Sequence, residues 1–131
     1  MIELAVSRLN KKFGGNHVLK DVSFEIKGAE MIGLIGPNGA GKTTLTNVLD
    51  GAVKPNSGTV YLNGKRIDQL PPFEIAKTGL GRTFQVTRSF RRMTVLENLY
   101  VPALALGKSH TGNEVKEQAL EVLEFLTMEH L

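Results

Sequence analysis

No cysteine occurs among the 131 residues, which excludes disulfides and thiolate metal sites and suits a reducing compartment. Long apolar runs are missing too. A bilayer span takes roughly 20 apolar residues, and the longest run here, Tyr100 to Leu106, is interrupted by Pro102. The N-terminus carries Glu3, Lys11 and Lys12 without a sustained apolar stretch, so no signal peptide is legible. Any membrane role is therefore expected to be peripheral. A strong charge of either sign is absent: 16 basic against 13 acidic residues leave a formal +3. That balance is too small to imply nucleic acid, though it suits a partner rich in phosphate or carboxylate. Internal repeats and low-complexity tracts do not occur. What remains, 41% apolar and 22% charged, describes an ordinary globular chain with room for one domain or part of a larger one.

Against that plain background one stretch is specific. Gly36-Pro37-Asn38-Gly39-Ala40-Gly41-Lys42-Thr43-Thr44 satisfies G-x-x-x-x-G-K-(S/T), the pattern of a phosphate-binding loop. The apolar segment Met31-Ile32-Gly33-Leu34-Ile35 before it reads as a buried strand of a parallel sheet, and Leu45, Val48, Leu49 and Ala52 after it recur at helical spacing. Glycines let the backbone turn its amides around an anion, and the helix N-terminus adds partial positive charge. Lys42 is expected to reach the terminal phosphates and the Thr43 hydroxyl to ligate Mg²⁺. The competing explanation, a glycine-rich turn that matches by accident, does not account for a strand before it and a helix after it.

Elsewhere, Ile2, Leu4 and Val6, then Val22, Phe24 and Ile26, alternate as half-buried antiparallel strands, with a loop from Asn10 to His17 between them. A hairpin is predicted from Thr59 to Ile67 around an Asn63-Gly64 turn. Pro71-Pro72 opens a short helix ending near Gly79, and Gly81 to Gln85 forms another strand. The last third is helical. Thr94-Val95-Leu96-Glu97 is a capping box for a helix through Leu99 that Pro102 should kink or end. Thr111-Gly112-Asn113-Glu114 is a second capping box, followed by a core-facing stripe of Val115, Ala119, Val122, Leu123 and Leu126. His17 and His110 lack a metal-ligand spacing and read as surface residues.

Three features narrow the phosphate loop to one family. The stretch GPNGAGKTTL, the upstream aromatic Phe13, and Arg82-Thr83-Phe84-Gln85 followed by Phe90 to Leu99 together resemble ABC-transporter ATPase subunits. The RTFQ form with MTVLENL downstream is most similar to the branched-chain amino-acid importer ATPases. The resemblance implies an α/β fold: a P-loop NTPase core with an antiparallel β subdomain over residues 1–86, and the start of a helical subdomain over 87–131. It implies ATP and Mg²⁺ as cofactors. Phe13 would stack on adenine, against the alternative of a core aromatic. Gly36, Asn38, Gly39, Ala40, Gly41, Lys42, Thr43 and Thr44 would bind the nucleotide, and Gln85 would join Thr43 at the Mg²⁺. Lys42 and Gln85 would be the catalytic residues of the set. Arg82, Arg88, Arg91 and Arg92 read equally as a solvated loop or as a docking surface.

The resemblance also implies partners: a second ATPase subunit, identical or not, and transmembrane permease subunits at the cytoplasmic face of the inner membrane. Nucleic acid is not expected as a partner. Urea or lipopolysaccharide transport stays open as an alternative, as does a soluble ABC ATPase acting on nucleic acid; a third class is a P-loop kinase or GTPase, of which a GTPase would need an N-K-x-D that this chain lacks. No LSGGQ-type signature, no later apolar strand ending in Asp-Glu and no switch histidine follows. The expectation is therefore an N-terminal portion of an ATPase subunit, truncated before the signature motif and inactive alone in hydrolysis.

Overall fold

The computed structural model describes residues 3–86, 89–105 and 112–128. The chain forms two units that divide between Arg82 and Thr83.

In the first unit, alternation drives the sheet. Strand β1 (Glu3–Phe13) pairs antiparallel with β2 (Asn16–Lys27), and Leu4 faces Ile26 while Val6 faces Phe24. On its other edge β1 pairs with β3 (Ser57–Leu62), which continues into the two-residue strand β4 (Lys65–Arg66). The sheet order is β2-β1-β3-β4, all antiparallel. The Asn63-Gly64 turn has both residues at positive φ, 49° and 77°, as its hairpin type requires. Ile2 of the expected first strand lies outside the described residues.

Helix α1 (Lys42–Leu49) and helix α2 (Pro72–Lys77) complete the core. Val6, Leu9, Leu19, Leu45, Val48, Val60, Leu62, Ile67 and Ile75 form one buried cluster. Leu45 and Val48 are the expected inner face of α1, whereas Ala52 is exposed beyond the end of that helix. Pro71 caps α2, and the chain leaves that helix through Gly79 at φ 98°, as the sequence suggests. Asp68 is the buried charged residue of this unit. It accepts hydrogen bonds from the Val60 amide (3.0 Å), from Arg66 Nε and Nη2 (2.9 and 3.0 Å) and from Gln69 Nε2 (2.9 Å). Burial alone would push its carboxyl up, but those donors and the Arg66 charge together hold it below the usual range.

Three expectations change here. The loop foreseen from Asn10 to His17 is strand on both sides of a two-residue Gly14-Gly15 turn, because the ladder continues through Lys11↔Leu19, Lys12↔His17 and Phe13↔Asn16. Met31 to Ile35 is not a strand: it has no ladder partner among the described residues, and Met31 and Ile35 are almost wholly exposed. An interior parallel strand exists only between neighbours, and among the described residues none of the four strands pairs with this segment. Gly81 and Arg82, the start of the other expected strand, are irregular as well. Arg82 donates instead to Asn47 Oδ1 (2.7 Å) and to the Asp50 carboxylate, tying the chain to the end of α1.

In the second unit, Thr83 to Gln85 are likewise irregular, and helix α3 (Val95–Ala105) packs on helix α4 (Gly112–Phe125). The first capping box forms as written: the Glu97 amide donates to Thr94 Oγ1 (3.2 Å), and the Thr94 amide donates to Glu97 Oε2 (2.7 Å). Of the two outcomes expected at Pro102, a kink or an end, the end does not occur: helix α3 runs on through it to Ala105. Thr111 of the second capping box lies outside the described residues. Of the α4 stripe, Val115, Ala119 and Leu123 are buried, while Val122 and Leu126 are about half exposed.

Candidate nucleotide site

Two local structures converge on one cleft. The first is the β1–β2 hairpin. Its two-residue turn sets Phe13 opposite Asn16 at the end of the ladder, where the ring is 49% exposed. The second is the loop that opens α1. Its backbone folds tightly, with the Ala40 amide donating to Pro37 O (3.2 Å), and enters the helix through Gly41 at φ 91°. Gly41 is buried against β2. A Cβ there would stand 3.1 Å from Leu19 Cδ2 and 3.2 Å from Val18 O, so only glycine lets the loop lie this close to the strand.

The result is a cleft of about 350 Å³ lined by Phe13, Asn16, Val18, Asn38, Gly39, Gly41, Lys42, Thr43 and Thr44. The opening of α1 has no side-chain cap, and its first turn carries no acidic residue. Its leading amides lack intrahelical acceptors, so the positive end of the helix dipole is not neutralised locally. Lys42 Nζ donates to Gly36 O (2.5 Å) and Pro37 O (2.7 Å), which holds the ammonium across the start of the loop. Thr46, by contrast, turns its hydroxyl back to Thr43 O (3.0 Å) and is spent on the helix.

Of the residues singled out from sequence, Phe13, Asn38, Gly39, Gly41, Lys42, Thr43 and Thr44 meet in this cleft. Gly36 and Ala40 shape the loop behind it: a Cβ on Gly36 would lie 3.3 Å from the Ala40 Cβ. Gln85 is exposed in the second unit. Asn16 and Val18 were not foreseen. Their signal was the Gly14-Gly15 pair, which brings residue 16 opposite residue 13 once read as a tight turn.

The arginines differ in their surroundings. Arg82 is ion-paired with Asp50, Arg91 and Arg92 are exposed, and Arg88 lies outside the described residues, as does His110. His17 is partly buried with Nε2 3.0 Å from Asn10 Oδ1, a packing role within the hairpin. Asn98 was missed altogether: its amide donates to Phe90 O, Met93 O and Thr94 O and its oxygen accepts from the Phe90 amide, clamping the entry to α3.

Among the described residues no cluster of three or more His, Cys, Asp or Glu side chains could hold a metal, and no helix is long and apolar enough to cross a membrane.

Comparison with known proteins agrees with this geometry. The family described as ABC transporter matches residues 19–131. The chain is 50% identical over 98 residues to the high-affinity branched-chain amino acid transport ATP-binding protein LivG of Salmonella typhimurium, covering 75% of this chain and 38% of that protein. It is 37% identical over 138 residues to a probable branched-chain amino acid transport ATP-binding protein LivG of Archaeoglobus fulgidus, covering 98% of this chain and 54% of the other. Among solved structures, the ADP conformation of an ATP-binding cassette of an ABC transporter superposes with a TM-score of 0.84 at 36% identity, covering 100% of this chain and 56% of that one. The chain thus spans 38–56% of the length of these proteins.

Proposed function

The chain belongs to the ABC transporter family, and from that premise we propose that it carries the nucleotide-binding portion of an ATPase subunit serving import of branched-chain amino acids. The observation that carries this reading is the cleft itself. Phe13, which lies far from the loop in sequence, lines the same space as Gly39, Gly41, Lys42, Thr43 and Thr44. An apolar ring at one end and amides with an ammonium at the other suit a base joined to a phosphate chain.

In this reading the Phe13 ring stacks on adenine. The loop amides and Lys42 hold the phosphates. Thr43 is the side chain of this cleft that would hold Mg²⁺, which supplies charge neutralisation at the phosphate oxygens; the Mg²⁺ role of Gln85 rests on the resemblance alone. Thr43 suits the Mg²⁺ role, since it lines the cleft beside Lys42 and the helix end behind it is uncapped. Residues 1–86 would form the nucleotide-binding part, and residues 87–131 would open the helical part. Binding is the activity assigned to these residues. Hydrolysis belongs to the whole subunit, paired with a second ATPase subunit and with transmembrane permeases at the cytoplasmic face of the membrane. The names and functions of the LivG relatives support the transport assignment.

The test is calorimetric titration of the chain with a non-hydrolysable ATP analogue and Mg²⁺. Lys42→Ala removes a charged donor worth about 1.5–3 kcal/mol, so the dissociation constant should rise roughly 10- to 100-fold. Unchanged affinity in that variant refutes the assignment of the loop.

A further inference from the structure

The Phe13 ring has a second neighbour. The ammonium of Lys11 stands 4.8 Å from its centroid, yet Lys11 is not among the residues that line the cleft. The cation is thus a neighbour of the ring that does not itself line that space. It does not drift there by chance, because the same ammonium donates a 2.7 Å hydrogen bond to the carbonyl of Lys54, across from β1 in the stretch that follows α1. A lysine held at its tip by a backbone acceptor and lying over an aromatic face is a fixed charge. The Lys77–Phe73 pair shows the contrast: it spans 5.9 Å between residues one turn apart on α2, as helix-surface neighbours do.

We propose that Lys11 is a positioning residue for the nucleotide base, acting through Phe13. The proposal rests on the reading of Phe13 as the base-stacking residue. An aromatic ring carries negative faces, and an ammonium over one of them is attracted electrostatically. Two effects on the ligand follow. The ring is held at one tilt, so less freedom is lost when a base stacks on it. Its π density is also drawn toward the ammonium, so the cleft-facing side repels the π cloud of a purine less. Neither effect reaches the phosphates, which meet the loop at the other end of the cleft. Lys11 thus sets affinity for the base and leaves polyphosphate recognition to the loop. The ligand class this favours is a nucleotide with a neutral, electron-rich base.

The experiment is a paired titration of the 131-residue chain with the non-hydrolysable ATP analogue and with inorganic tripolyphosphate, both with Mg²⁺. Lys11→Met should weaken the nucleotide about two- to fivefold and leave tripolyphosphate unchanged. Lys11→Arg, which retains a cation over the ring, should restore nucleotide affinity. In a Phe13→Ala background, Lys11→Met should add nothing. Equal weakening of both ligands, or an undiminished Lys11→Met effect without the ring, overturns the proposal. Loss of nucleotide affinity in Phe13→Ala but none in Lys11→Met overturns it while sparing the stacking reading. Full nucleotide affinity in Phe13→Ala overturns both.

Discussion

Replacing Gly41 by alanine probes the close approach on which the cleft depends. Two costs add at this position. The backbone sits at φ 91°, a left-handed conformation that costs an L residue about 1–2 kcal/mol. The added methyl would also meet Leu19 Cδ2 at 3.1 Å, Val18 O at 3.2 Å and Val18 Cγ1 at 3.3 Å. Two of these contacts are side-chain atoms that can yield, but the third is backbone of β2, held by its ladder with β1. Overpacking of this kind costs roughly 1–3 kcal/mol. Gly39 separates the two costs, since it has φ 84° but nothing within 4 Å of an added Cβ. Gly39→Ala should therefore lose about 1–2 kcal/mol and Gly41→Ala about 2–5 kcal/mol.

Where the loss shows depends on whether the loop keeps its shape. If it does, the cost appears as reduced folding stability; if it gives way, as reduced affinity. The quantity to compare is the sum of both, from urea unfolding followed by titration with the ATP analogue. Gly15→Ala serves as a control, having open space around its Cβ and no left-handed φ. If Gly41→Ala costs no more in sum than Gly39→Ala, crowding against Val18 and Leu19 does not shape the site.

Asp68→Ala should destabilise the first unit by about 1–3 kcal/mol in urea unfolding, because the buried Val60 amide loses its acceptor. Since the folded Asp68 carboxyl lies below its unfolded value, its contribution is complete above about pH 4 and is lost as pH falls through the folded value. The variant should lack that acid limb; an unchanged pH profile would refute the assignment. Met31, Ile32 and Ile35 expose apolar side chains on a segment without ladder partners among the described residues, so light scattering should show concentration-dependent association that Ile32→Lys with Ile35→Lys suppresses. A strict monomer at high concentration would count against that reasoning.

Legibility in the sequence followed the range of the interactions. The Asn63-Gly64 turn and the Thr94–Glu97 box are decided by residues within four positions of one another, and both form as read; the helix behind the loop forms too, but ends at Leu49 before reaching Ala52. Met31 to Ile35 was misread because a strand is a property of a pair, and hydrophobicity alone does not supply the neighbour. Beyond Asn10, Lys11 and Lys12 interrupt the apolar alternation, which hid the last residues of β1. Pro102 removes one helical hydrogen bond, a local cost, whereas packing of α3 on α4 is a tertiary gain that offsets it and carries the helix to Ala105. Asp68 and Asn98 left no pattern at all. Each serves as a hub only because distant or looping backbone arrives at its side chain.

The site follows the same division. The loop residues of the cleft were readable because they form one contiguous motif, but their relation to Phe13 was not. That relation is set by β2. Asn16 stands opposite Phe13 in the ladder, and two residues further along Val18 and Leu19 press against Gly41. A single stretch of strand therefore holds the ring at one end and the loop at the other, and its rise of roughly 3.3 Å per residue fixes their spacing. Had residues 10–17 been an irregular loop, the ring would have had no fixed height above the loop that opens α1. The tight Gly14-Gly15 turn is what converts an aromatic residue near a phosphate loop into one wall of a shared cleft.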